Sequence, residues 1–391
     1  MDAPRSRTDW AGVGLGLAVA SLAAFQMLKL APALPLLIAE YGYGRVLAGA
    51  MMSVYAVAAL VFSLLAGGLL ARRPWTTLAA ALGCFVAGNL ATLLWPDSGA
   101  LVLVARGVEG VGYAVLGIAG PVISIRSAAE RHHSFVAGVA AVWVPVGQIT
   151  ALVAACFTLA DAGWQALWWL SLALVALLAF WLVVRRDSVR EAMSAIASGG
   201  AARWSRRERA ALWVGAVTFG LWSGQYIAFM TWLPDHFVDR GVAPENAAVL
   251  NLVPVMGVAI SCLLTGWLAR HVRYGGLFVA ATLSQVPVWL FADALPPGPG
   301  LVAIAFFGLA CGVTPTLLFA LPPRVLGAQR VSPAAFAPLM AGRNLGILGA
   351  PPAAGWIIGM GGWELMGPVF GAITLVAALG GGLMAHLAQR R

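Results

Sequence analysis

Four ionisable side chains stand inside apolar stretches of this chain: Lys29, Arg106, Glu109 and Arg343. Lys29 is the single lysine among 24 lysines and arginines, and it lies in SLAAFQMLKLAPALP (Ser21 to Pro35). A charge at the centre of a membrane helix costs about 2.5 to 3.5 kcal/mol on insertion scales, so such residues turn toward a polar cavity or toward one another and mark solute or ion pathways. Arg106 and Glu109 are three apart, which puts them on one helical face within pairing distance. A carboxylate buried beside a cation is suited to taking up and releasing a proton, which would couple transport to a proton gradient. The alternative is a permanent structural ion pair. Lys29 precedes Ile38 by nine residues, about 13 Å of helix. That depth favours a cavity-facing ammonium, although a long stem also permits snorkelling to the interface. Arg343 is similarly deep, and its alternative is donation to backbone carbonyls of a neighbouring helix.

Three cations against one anion leave a positive surplus, which a low-dielectric site tolerates only when an anion visits it. Lys29 is therefore expected to meet a substrate carboxylate or comparable anion, with Arg343 or Arg106 as a second contact and Glu109 as the proton carrier. Around these charges recur Gln26, Tyr113, Trp143, Gln148, Trp222, Gln225, Tyr226 and Asn344. Each is a candidate substrate contact and equally a candidate for interhelical hydrogen bonding or volume filling.

The elements that carry these residues must be membrane helices. With 61% hydrophobic and 10% charged residues and a mean hydropathy of +0.88, the 391-residue chain has too few polar groups to build a water-facing surface. Apolar runs long enough to cross a hydrocarbon layer of roughly 30 Å recur along it. Twelve are expected, at 10–38, 46–70, 76–95, 100–125, 135–159, 164–184, 211–234, 247–269, 276–292, 301–323, 334–358 and 364–386. The fold class is all-α and integral to the membrane, as two pseudo-symmetric six-helix bundles, 1–184 and 211–391, joined by a cytoplasmic linker, 185–210. With both termini inside, 19 arginines fall on the cytoplasmic side, among them Arg330, and two, Arg45 and Arg240, fall outside. Basic residues are retained on the cytoplasmic side, so the high isoelectric point reports topology and implies no nucleic-acid partner. The first apolar stretch is too long for the core of a signal peptide and is expected to be retained.

The chain also repeats itself. Shifted by 199 positions, LPLLIAEYG (Leu34 to Gly42) falls on LPDHFVDRG (Leu233 to Gly241), Gln26 falls on Gln225, and GWQAL (Gly163 to Leu167) falls on GWELM (Gly362 to Met366). Matches in one order, at corresponding places of two six-span halves, argue for an internal duplication. Parallel repeats are an architecture of secondary transporters with a site near the midplane. RGVEGVGYA (Arg106 to Ala114) is similar to the Arg-x-x-Gln-Gly-x-Gly motif of the major facilitator superfamily, with Glu109 in place of glutamine. GGLLARRPW (Gly67 to Trp75) is similar to its Gly-x-Leu-Ala-Asp-Arg motif, with Arg72, and in the second half Arg270, where the family has aspartate. The charge-relay role of that aspartate does not carry over. FQMLKLAPALPLL, VWVPVGQ (Val142 to Gln148) and GRNLGILGAPPAAG (Gly342 to Gly355) resemble the cyanate and nitroimidazole transporter branch.

The resemblance implies alternating access, with spans one, four, seven and ten lining a cavity and spans three, six, nine and twelve outside it. Val144 to Gln148 stands where drug exporters of the family carry Gly-Pro-x-x-Gly-Gly, which leans toward uptake. The expected activity is proton-coupled uptake of a small anionic solute by a monomer in a bacterial cytoplasmic membrane. The alternative is a proton-coupled exporter of drugs or metabolites. No enzyme, cofactor or metal is expected. Cys84, Cys156, Cys262 and Cys311 fall in separate spans, His132, His133, His236, His271 and His386 fall in loops or at span ends, and Lys29 is not part of a phosphate-binding loop. Glu40 and Asp239, at matching outer ends, are candidate gates, and Asp293 is an outer-loop acid. Replacing Lys29 by Met is expected to abolish uptake of the anion while the protein still reaches the membrane; tracer uptake beside an immunoblot of the membrane fraction checks this.

Overall fold

Apolar runs become helices because every backbone polar group must be satisfied internally where water is excluded. The computed structural model describes residues 7–132, 135–136, 139–140, 142–194, 204–291, 297–327 and 333–388. His133, Asp293, Arg330 and positions 195–203 of the expected linker lie outside the described residues. The first half contains α1 (Trp10–Leu28), α2 (Leu30–Tyr41), α3 (Arg45–Arg72), α4 (Pro74–Leu94), α5 (Gly99–Arg126), α6 (Trp143–Ala162), α7 (Gln165–Val184) and α8 (Arg186–Ser194). The second contains α9 (Arg206–Asp239), α10 (Pro244–His271), α11 (Tyr274–Leu283), α12 (Val286–Phe291), α13 (Pro297–Phe319), α14 (Leu321–Leu326) and α15 (Ala337–Ala388).

Helix ends follow local chemistry. Asp9 caps α1 by accepting from the Gly12 amide at 3.1 Å, and Ser205 with Glu208 forms a reciprocal capping box at the start of α9. Such caps satisfy amides that have no partner within the helix. Gly42 ends α2 in the left-handed region at φ 67°, where glycine carries no steric penalty.

Among the described residues ten helices are long and apolar enough to cross a membrane. One of them, Trp10–Tyr41, joins α1 and α2. Another, Ala337–Ala388, runs 52 residues, about 78 Å if straight and more than twice the hydrocarbon thickness. It is broken at Gly361 (φ −146°, ψ 20°) and Gly362 (φ 66°, ψ −166°).

The chain separates into two compact units, residues 1–198 with 241–249 and residues 199–240 with 250–391. Part of the expected linker is not free chain: in α8, Val189, Ala192 and Met193 are buried, at the spacing of one helical face, and α8 packs against α3, α5 and α7 in the first unit.

Within each unit the helices approach at glycines. In the first, α1 crosses α6 at Gly147, where a side chain would meet the Ser21 carbonyl, Ala24 Cβ at 2.5 Å and Phe25 N at 2.7 Å. In the second, α9 crosses α15 at Gly346, where it would meet the Gly220 carbonyl and Ser223 Oγ at 2.7 Å. Gly147 and Gly346 coincide under the 199-residue shift, so the same close crossing is built twice. Small residues permit such backbone approach between membrane helices. Gly349, three positions on, has nothing within 4 Å of an added Cβ. Gly147→Ala and Gly346→Ala are each expected to cost about 1 to 3 kcal/mol through overpacking, whereas Gly349→Ala is neutral or slightly stabilising; thermal unfolding in detergent separates the two outcomes.

Candidate functional site

The charged residues of the first unit converge at a flaw in its first span. Pro32 has no N–H to give to the carbonyl four residues back, and its ring crowds that turn, so the helix ladder is interrupted at Lys29, between α1 and α2. Arg106, from α5, takes up the carbonyls beside the flaw. Its Nη1 donates to Gln26 O at 2.8 Å and its Nη2 to Met27 O at 2.7 Å. Nε donates to Met51 O on α3 at 3.4 Å, and the guanidinium lies 4.4 Å from the Tyr55 ring centroid.

Arg106 and Glu109 do pair: Nη1 and Oε2 are 2.7 Å apart, with both side chains at 0% exposure. The Tyr55 hydroxyl donates to the same Oε2 and lies 3.1 Å from Gln26 O. Glycines make the room. A Cβ at Gly88 on α4 would strike the Glu109 stem, and one at Gly110 would lie 3.1 Å from Tyr55 Cα. The glycines of RGVEGVGYA thus let α3 and α4 close on α5.

The other carboxylate oxygen, Oε1, faces the Lys29 ammonium at 3.5 Å and accepts no hydrogen bond among the described residues. Lys29 Nζ donates instead to Gln26 Oε1 at 2.6 Å, Asn89 Oδ1 at 2.5 Å and Ser171 Oγ at 3.3 Å. Its charge also lies 4.9 Å from the Trp168 ring. Gln26 Oε1 collects two further donors, Ser171 Oγ at 2.7 Å and Asn89 Nδ2 at 3.2 Å. Lys29, Gln26, Asn89, Ser171, Arg106 and Glu109 are each fully buried.

This arrangement differs from the sequence expectation in three respects. Both cations of the unit lean on the one carboxylate, so Lys29 is not the isolated charge that an Arg106–Glu109 pair alone would leave. Arg106 does not stand as a free substrate contact, because each of its nitrogens is committed to protein acceptors. Lys29 is enclosed by Asn89 and Ser171, which belong to α4 and α7, spans three and six that the resemblance places outside the cavity. Tyr55, Asn89 and Ser171 were not among the expected site residues. The available signal was polarity: an asparagine in GNLATLLW and a tyrosine in MMSVYAVAAL are as anomalous inside a span as a charge.

The remaining candidates divide between the two units. Tyr113 is buried, 5.6 Å edge-on to Tyr55 and 5.9 Å from half-buried Trp143, and Gln148 is buried on α6. In the second unit Gln225 accepts from Trp289 Nε1 at 2.7 Å and donates to Gln285 at 2.8 Å. Gln26 and Gln225, related by the repeat, therefore occupy matching roles as buried interhelical bridges. The position matching Lys29 is Ala228, and the second network carries no charge. A separate group lies at the α9–α15 crossing. Trp222 and Tyr226 stack at 5.3 Å with 9° between planes, Ser223 Oγ donates to Arg343 O at 2.9 Å, and half-buried Arg343 donates to Asn344 Oδ1 at 3.3 Å. Trp222 is buried with its Nε1 unpartnered among the described residues. Of the candidate gates, Glu40 accepts from Tyr41 at 2.8 Å and from Trp164 Nε1 at 3.1 Å.

Comparison with known proteins bears on family and fold. Residues 15–334 match the sequence profile of the Major Facilitator Superfamily. The chain is 29% identical over 187 residues to monocarboxylate transporter 11 of Homo sapiens, covering 45% of this chain and 39% of that protein. It is 27% identical over 245 residues to the cyanate transport protein CynX of Escherichia coli K12, covering 59% of this chain and 62% of that one. The matched segment thus spans less than two thirds of either relative. The crystal structure of a D-xylose-proton symporter superposes with a TM-score of 0.72 at 13% identity, over 95% of this chain and 96% of that chain, which is a likeness of fold.

The charge arrangement sets an order of stabilities. Glu109→Leu strands two buried cations and is expected to cost about 3 to 5 kcal/mol, whereas Lys29→Met leaves the neutral Arg106–Glu109 pair and costs less. Lys29→Met added to Glu109→Leu should recover part of the loss, a non-additivity that a double-mutant cycle of thermal or denaturant unfolding in detergent measures directly.

Proposed function

This chain belongs to the Major Facilitator Superfamily, and we propose that it is a secondary transporter that takes up a small anionic solute together with a proton. The observation that carries the reading is the fully buried carboxylate of Glu109 held between two cations, with Arg106 and Tyr55 on one oxygen and Lys29 at 3.5 Å from the other. A proton arriving on Oε1 leaves the hydrogen bonds at Oε2 in place. It does remove the counter-charge of Lys29, whose other partners are neutral.

A buried ammonium deprived of its carboxylate is costly, and an anion restores the balance. Proton and anion would therefore favour each other's binding, as coupled ligands must by linkage, and together they carry no net charge. In this reading Glu109 is the proton carrier, Lys29 the anion's counter-charge, and Arg106 the staple that fixes Glu109 in place. Gln26, Asn89 and Ser171 hold the ammonium between cycles, so that it engages the solute only after a conformational step loosens them. Trp222, Tyr226, Arg343 and Asn344 on one unit, and Tyr113, Trp143 and Gln148 on the other, are further candidate solute contacts. Gln225 acts as a bridge.

The two relatives are named for cyanate and for monocarboxylates, solutes that carry a single negative charge, which supports a small monoanion as cargo. We count the spans as twelve by dividing Ala337–Ala388 at Gly361 and Gly362 and including Arg206–Asp239. The two six-span halves, 1–184 and 211–391, would sit as a monomer in a bacterial cytoplasmic membrane with both termini inside.

Purified protein in liposomes, given an imposed inward proton gradient and a panel including cyanate, formate, acetate and lactate, provides the test. Accumulation of one of these that collapses with protonophore is the expected result. Glu109→Gln, fixed in the neutral state, should lose gradient-driven accumulation and keep solute exchange at zero gradient. Accumulation by Glu109→Gln equal to the parent, or solute driven out rather than in by the same gradient, would overturn the reading.

A further inference from the structure

In the second unit, α11, α14 and the stretch Gly382 to Ala388 of α15 line an open cavity of about 1040 Å³. α11 begins here at Tyr274, α14 ends at Leu326 and α15 contributes its stretch up to Ala388. Helix starts and ends of membrane spans belong at headgroup level, which assigns the cavity to that depth.

Its rim is cationic. Arg273, Arg324 and His386 line it and are exposed, and no acidic residue lines it among the described residues. The Arg324 guanidinium lies 4.6 Å from the Tyr274 ring centroid, and that ring is fixed by its hydroxyl donating to Leu317 O at 2.9 Å. The arginine is thus held over the opening. Arg207 fixes the opposite wall by donating to the terminal carbonyls of α15, Leu387 O at 3.1 Å and His386 O at 3.3 Å.

Below the rim the wall turns apolar along α11, with Val279 and Leu283 one turn apart on the face that runs into the bilayer. Two glycines keep the space. A Cβ at Gly275 would lie 2.6 Å from Ala385 Cβ, so α11 and α15 touch there, whereas one at Gly276 would have nothing within 4 Å. A basic rim over an apolar wall at headgroup depth complements a molecule with a phosphodiester at one end and hydrocarbon at the other.

We propose that this cavity binds an anionic phospholipid of the surrounding leaflet, with its phosphate between Arg273 and Arg324 and an acyl chain along Val279 and Leu283. The site is separate from the Lys29–Glu109 network, so its outcome is independent of the transport reading.

Native mass spectrometry of the full-length protein in detergent, titrated with phosphatidylglycerol or phosphatidylcholine of identical chains, tests this. One tightly held phosphatidylglycerol is expected, retained about tenfold or more better than phosphatidylcholine, and not displaced by inorganic phosphate, which lacks the chain. Arg273→Gln combined with Arg324→Gln should bring phosphatidylglycerol down to the level of phosphatidylcholine. Gly276→Trp, which fills open space without touching the charges, should remove the tightly held lipid altogether. Equal retention of the two lipids by the parent, unchanged selectivity in the double arginine variant, or undiminished binding by Gly276→Trp would each overturn the proposal.

Discussion

The first unit is organised around one carboxylate that has two claimants. Glu109 gives one oxygen to Arg106 and Tyr55 and turns the other toward Lys29, all without solvent. In a low-dielectric interior a lone charge of any of these kinds is expensive. The three therefore fix one another's positions, and neighbouring helices must supply neutral partners for whatever remains. That demand accounts for Asn89 on α4 and Ser171 on α7, which satisfy the ammonium protons the carboxylate does not, and for the buried Tyr55 on α3.

Charge and backbone are joined at the same point. The interruption at Lys29 exposes carbonyls that a bilayer cannot hydrate, and Arg106 supplies the missing donors at Gln26 and Met27. Non-helical backbone at membrane depth is tolerated only where protein or a cavity satisfies it. Because the residue at the interruption is itself one of the charges, the proposed protonation of Glu109 would bear directly on the segment joining α1 to α2.

The two units meet this constraint differently. Both retain the close helix crossing at Gly147 and Gly346 and the buried bridge at Gln26 and Gln225. The second has Ala228 where the first has Lys29 and Pro254 where it has Tyr55, and with the cation absent its bridge is completed by Trp289 and Gln285 instead. Backbone approach is common to the halves, and the chemistry resides in what fills it. The second unit also carries the cation-rimmed cavity between α11 and α15.

Much of this was legible in the sequence because it depends on spacing along the chain. Apolar run length marks the stretches that become membrane helices, a fixed shift matches Gly147 with Gly346 and Gln26 with Gln225, and an interval of three residues gives the Arg106–Glu109 pair, since helix geometry alone brings such residues together. What no spacing encodes is which distant helix faces which. That Lys29, 80 positions from Glu109, leans on the same carboxylate as Arg106, that Asn89 and Ser171 meet it from helices expected elsewhere, and that Arg106 is spent on backbone carbonyls were decided only when packing set the helices in place. Chain order places Lys29, Arg106 and Glu109 among apolar residues; packing settles how their charges are shared, because neutralisation of a buried ion is a matter of a few ångströms across helices.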